Sequence, residues 1–173
     1  MRDAVLALLV CLLVGVSLAL AAIDTELRTE AAPYGIVSFE LAGTAESAGA
    51  ILASWGPSAR EAAHLIQGLD YLYLVLYSAV LVWICNAVAA LWQHRSPAMA
   101  RVGSVLAGLS LVAGLLDAFE NAALLRLLRD GSSDLWAATA WWCAVPKFAI
   151  VALAAAYAAF GYLGAVVFLR KGG

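Results

Sequence analysis

Four long apolar runs, set apart by short stretches where charge collects, govern the order of residues in this chain. The first covers residues 4–23 and contains no charge. The second covers 65–92 and carries Asp70 and Asn86. The third, 102–128, carries Asp117, Glu120, Asn121 and Arg126, and the fourth, 135–169, carries Lys147. A helix needs about 20 mostly apolar residues to cross a bilayer, and each run meets that length. The pattern predicts an all-α fold, a bundle of four transmembrane helices in a single membrane domain. The fourth run exceeds the bilayer thickness, so it must tilt, kink or protrude.

Between the first two runs lies a polar segment, 24–64, long enough to hold structure of its own. Ala31-Ala32-Pro33-Tyr34-Gly35 is a turn cluster. The apolar stretch 36–43 is too short to cross, so it predicts a re-entrant or interfacial piece, or a strand-like packed stretch. Thr44 is placed to cap a helix running through Ser54, with Glu46 in its first turn. Trp55 is expected at headgroup depth. Gly56-Pro57 ends that helix, and the next runs on into the second span.

Basic residues set the expected orientation. Arg95 and Arg101 flank the turn between spans two and three; Arg2 precedes span one, and Arg170-Lys171 follow span four. The segment 24–64 holds six carboxylates against Arg28 and Arg60. Both ends are therefore expected in the cytoplasm of a cell membrane, with the acidic segment outside, and the Ala- and Gly-rich spans suit a bacterial one. Met1-Arg2-Asp3, an apolar stretch and Ala19-Leu20-Ala21 also fit a signal peptide with an A-x-A cleavage site, which would leave three spans. The apolar run is longer than the 7–15 residues typical of such a signal, which favours a retained span.

Composition supports a membrane setting: 65% of the 173 residues are apolar, 13% are charged, and mean hydropathy is +0.92. Soluble domains carry about twice that share of charge. A net charge of −2 excludes a basic nucleic-acid footprint. Cys11, Cys85 and Cys143 form no CxxC pair, which excludes a dithiol relay, and are expected as small buried apolar groups. His64 and His94 stand alone, so no metal site is expected, and nothing calls for a cofactor. Small residues at Gly103, Ala107, Ser110, Gly114 and Ala118, and at Ala154, Ala158 and Gly161 or Ala155 and Ala159, predict close helix packing. Trp136, Trp141 and Trp142 suit one interfacial belt, and Trp83 and Trp92 the other side.

Candidate chemistry lies in the charges inside the spans, which are costly there and mark functional sites by default. Asp117, Glu120 and Asn121 share one helical face, as do Asp70, Tyr73 and Tyr77. Taking residues 128 and 136 as the ends of their spans puts Asp117 and Lys147 both about 16 Å deep, near the midplane. Lys147, just after the helix-loosening Pro146, is expected to pair with Asp117 or Glu120. One lysine cannot neutralise three carboxylates, so a carboxyl stays protonated, a cation or amine binds, or water and Arg126 reach in. Asn86 is expected to bond a neighbouring helix, and Glu40 is free to lid the cluster.

These residues support three readings. The first is a ligand site formed by Asp70, Asp117, Glu120, Asn121, Lys147, Tyr73 and Tyr77 for a cation, proton or amphipathic small molecule. The second is a scaffold or accessory subunit, held to a membrane protein partner or a second copy, whose buried charges fix helix register. The third is an enzyme using Asp117 or Glu120 as acid or base. In size, span count and acidic content the chain resembles in outline the four-span sterol-isomerase and sigma-2-receptor-like group, which holds amines or sterols between helices; it carries no motif of that group.

Overall fold

Helix boundaries follow local chemistry at several ends. The computed structural model describes residues 2–171 of the chain, with side chains over 4–167. The residues Met1, Gly172 and Gly173, and the side chains of Arg2, Arg170 and Lys171 that entered the orientation argument, lie outside that description. Helix α1 is Arg2–Asp24, followed by a 3-10 turn at Thr25–Leu27; α2 is Ile36–Glu40 and α3 is Ala45–Ser54. The three longest helices are α4, Pro57–Trp92, α5, Pro97–Asp130, and α6, Asp134–Lys171. Pro57 and Pro97 occupy first-turn positions, where proline's missing N–H costs nothing. The Thr44 hydroxyl accepts from Ser47 N–H at 3.2 Å, as its capping position requires. Gly131, at φ 89°, closes α5 by donating its N–H to the Leu127 carbonyl at 3.0 Å.

Four helices are long and apolar enough to cross a membrane, but they are not equivalent. Helices α4, α5 and α6 pack on one another, whereas α1 lies mainly along α4 and leaves Leu8, Leu12, Val14 and Leu18 exposed. Cys11, expected to be buried, is exposed on this peripheral helix; Cys85 is buried and Cys143 half-buried. Small residues let the three central helices approach. A Cβ at Gly103 would collide with the Tyr157 ring and hydroxyl, and that hydroxyl donates to the Met99 carbonyl at 3.0 Å. Ala155 and Ala159 take no part, being exposed on α6. Pro146 lies within an unbroken helical stretch.

Residues 25–56 fold over one end of the bundle as a roof. Its core joins Leu27, Phe39, Ile51, Leu52 and Trp55 to Ile66 on α4, Leu124 and Leu127 on α5, and Ala137 and Ala140 on α6. The stretch 36–43 is not strand-like: it forms α2 and a turn, because it packs over helix ends with no strand to pair with among the described residues. Trp55 is likewise not at a lipid surface. It is 3% exposed, donates Nε1–H to the Leu27 carbonyl at 2.8 Å and meets Phe39 edge-on with ring centroids 5.1 Å apart. Arg60 stretches back to the carbonyls of Leu52 (2.7 Å) and Trp55 (3.3 Å), satisfying the end of α3. Asp134 pins the roof to α6 by accepting from Ala45 N–H at 2.7 Å.

A buried carboxylate cluster around one lysine

Helical spacing turns Asp117, Glu120 and Asn121 of α5 into the bundle together, and all three are buried. From α6, Lys147 meets two of them. Its ammonium donates to Asp117 Oδ1 at 2.9 Å and lies 2.7 Å from Glu120 Oε2. The sequence left a choice between these partners; both are engaged. Asp70 on α4 joins the same group through Asn121, whose amide donates to Asp70 Oδ2 at 2.6 Å. Tyr77 is buried one turn beyond Tyr73, with ring centroids 5.5 Å apart. The Tyr77 hydroxyl, on the Asp117 side, makes no hydrogen bond of normal geometry, nor does that of Ser78.

The roof supplies a further carboxylate. Glu40, the last residue of α2, brings Oε2 within 3.9 Å of the Lys147 ammonium, with its side chain 12% exposed. Its carboxyl also faces that of Glu120. Burial pushes the Glu40 carboxyl above the ordinary carboxylate range, and the nearby Lys147 only partly opposes this. Local backbone chemistry delivers it there. Gly35 precedes α2 at φ +57°, and a Cβ at that position would collide with the Asp24 carboxylate. The Asp24 carboxylate in turn accepts from Ile36 N–H at 2.7 Å, tying α2 to the end of α1. The sequence offered Glu40 only as an optional lid, because a loop residue has no helical period to fix its direction.

Three carboxyls thus lie within 4 Å of a single ammonium, and a fourth, Asp70, joins them through Asn121. Arg126 does not supply the missing positive charge: it pairs with Asp130 at 3.6 Å, stands over the Trp136 ring at 5.9 Å, and is half exposed. Gln67, three residues before Asp70 on α4, is a buried polar residue that the sequence argument passed over; its Oε1 has no hydrogen-bond partner. The i, i+3 spacing from Asp70 was the available signal. Asn86 also departs from expectation. It is exposed, and its amide donates to the Val82 carbonyl one turn earlier on its own helix at 2.9 Å, because that face of α4 meets no neighbour there.

Counted from Arg101 at the opposite end of α5, Asp117 is sixteen residues along the helix, about 24 Å, and the roof-side ends of α5 and α6 pack into the roof core. Among the described residues, no three His, Cys, Asp or Glu side chains are arranged to hold a metal ion. Four surface grooves of about 340 to 670 Å³ mark the helix surfaces, and none is lined by a member of the cluster.

No protein-family model matches the chain, no curated protein is detectably similar in sequence, and no solved structure matches the fold.

Proposed function

We propose that this multi-pass membrane protein is proton-responsive, and that its buried carboxylate cluster takes up and releases protons on the roof side. One observation carries the reading: among the described residues Glu40, Asp117 and Glu120 converge on Lys147 alone, and Asp70 joins them through Asn121. Fully ionised, the group would hold a charge of −3, from four carboxylates and one ammonium. A low-dielectric site does not hold that charge unaided, and protons are the smallest species that offset it. A bulky amine or sterol fits less well, since no groove described above reaches the cluster. Glu40 is the exchange point, because it alone arrives from the roof. With the basic ends in the cytoplasm, the roof faces outward.

Infrared titration of the detergent-purified protein tests this reading. A protonated-carboxyl band is expected to persist through neutral pH and to shrink in both Glu40→Gln and Glu120→Gln. A wild-type spectrum with every carboxyl ionised at neutral pH overturns it.

The scaffold reading retains one specific support. Helix α1 offers a long apolar face that no other described part of the chain covers. It predicts that a partner is retained on gentle solubilisation and lost when that face is made bulky. The acid–base enzyme reading gains no comparable support, since none of the four grooves described above is lined by Asp117 or Glu120.

A further inference from the structure

At the end of the bundle away from the roof, the α4–α5 pair is polar on its outer surface where it has no need to be. A groove of about 340 Å³ is lined there by Asn86, Gln93, Arg101 and Ser104 together with alanines. The Arg101 guanidinium makes no ion pair or hydrogen bond among the described residues. Asn86 also lines a second, larger groove of about 670 Å³, whose other walls include Ala79, Val82, Trp83 and Leu111. The two grooves adjoin at Asn86 and Ala90, the smaller lined by several polar side chains and the larger by mostly apolar ones.

An exposed asparagine in the lipid-facing part of a span is unfavourable unless its amide is satisfied. Asn86 uses one N–H on Val82 and, among the described residues, keeps a second N–H and its carbonyl oxygen without a partner. Asn86 sits seven residues, about 10 Å, along α4 from Gln93, and Ala79 lies about 10 Å further on. The two adjoining grooves therefore extend along about 21 Å of α4, close to the 20–22 Å of one leaflet including its headgroups.

From this match of charge, polarity and length we infer that the α4–α5 groove binds one glycerophospholipid of the adjoining leaflet. The phosphate sits on Arg101, with Gln93 and Ser104 beside it. A glycerol ester carbonyl accepts from the free N–H of Asn86, and one acyl chain follows the apolar groove past Trp83 toward Ala79. A guanidinium on phosphate and an amide on an ester are the pairings that these unused donors can make. The site lies at the far end of α4 and α5 from the carboxylate cluster, so it stands or falls independently of the proton reading.

Native mass spectrometry of the full chain in detergent, with dioleoylphosphatidylglycerol or dioleoylglycerol added, tests the inference. The wild type is expected to retain one phosphatidylglycerol about tenfold more strongly than the diacylglycerol, the advantage expected of charge-assisted hydrogen bonds to one phosphate. Arg101→Gln is expected to abolish that preference, and Asn86→Leu to weaken retention of both lipids. Both positions are exposed, so the variants keep their helical content and lipid-free melting temperature. Equal retention of the two lipids by the wild type, or undiminished phosphatidylglycerol on Arg101→Gln, overturns the inference. So does a wild-type dimer that Asn86→Leu converts to monomer with its lipid adduct unchanged, since the groove would then belong to a second copy.

Discussion

The two ends of the bundle solve the same packing problem with different materials. On the roof side, helices α4, α5 and α6 enclose long polar side chains, and an added layer of chain seals them. On the turn side, near residues 93–96, Cys85, Val88, Leu106, Ala107, Ala154 and Tyr157 bring the same helices together through mostly small or apolar contacts, with open grooves outside. In lipid, close approach of small residues stabilises by dispersion and tolerates no charge. A sealed polar cluster needs a cover that excludes both lipid and water, and here that cover is made from the segment between α1 and α4. Charge in the spans is thus confined to the half of the molecule that owns a roof.

Removing the central cation should disturb the roof half most. Lys147→Met leaves four carboxyls facing each other, and loss of one member of a buried ion pair costs about 3–5 kcal/mol. A denaturation series in mixed micelles is expected to show that loss at alkaline pH, and a smaller one in acid, where the carboxyls can protonate. No change at either pH would mean that the lysine does not hold the cluster together.

Trp55→Ala is expected to cost a comparable amount, about 3–5 kcal/mol, since it empties the roof core and removes the bond to Leu27. Its effect should stay local. Hydrogen exchange is expected to rise over residues 25–56 while the turn-side halves of α4, α5 and α6 remain protected; uniform loosening would show that the two ends are one cooperative unit.

The smallest expected effect is Glu40→Gln, and it sharpens the comparison through pH. Burial raises the Glu40 carboxyl above its ordinary value, so its contribution is complete at pH below the unfolded value and is lost as pH rises through the folded one. The charged groups facing it are Lys147 on α6, Asp117 and Glu120 on α5, and Asp24 on α1. Melting temperature should therefore decline with rising pH above the normal carboxylate range in the wild type, and less steeply in Glu40→Gln. Identical pH profiles would show that Glu40 ionises without consequence for the fold.

Much of this architecture could be read directly from the residues, because lipid imposes a simple rule. Backbone polar groups must be satisfied within each helix, and length and hydropathy then fix where each span lies. Thr44 and Gly56-Pro57 mark helix ends through chemistry confined to a few neighbours, so those ends were visible too. The grouping of Asp117, Glu120 and Asn121 followed from helical period alone. The pairing of Lys147 with that face was also foreseen, since an unpartnered ammonium at such depth is untenable.

Tertiary structure decided whatever depended on residues far apart in the chain. The descent of Glu40 onto Lys147 depends on Asp24 capping α2 and on roof contacts with three helices, none of which has a periodic signature. The same contacts moved Trp55 from a lipid boundary into a core. On α4, Asn86 found no neighbouring helix because α5 turns its packed face elsewhere, which a single helix's pattern does not reveal. Local sequence therefore set the helices and their polar faces, through forces acting within a few turns. The meeting of those faces, and the cover over them, came from packing between segments separated by up to a hundred residues or more.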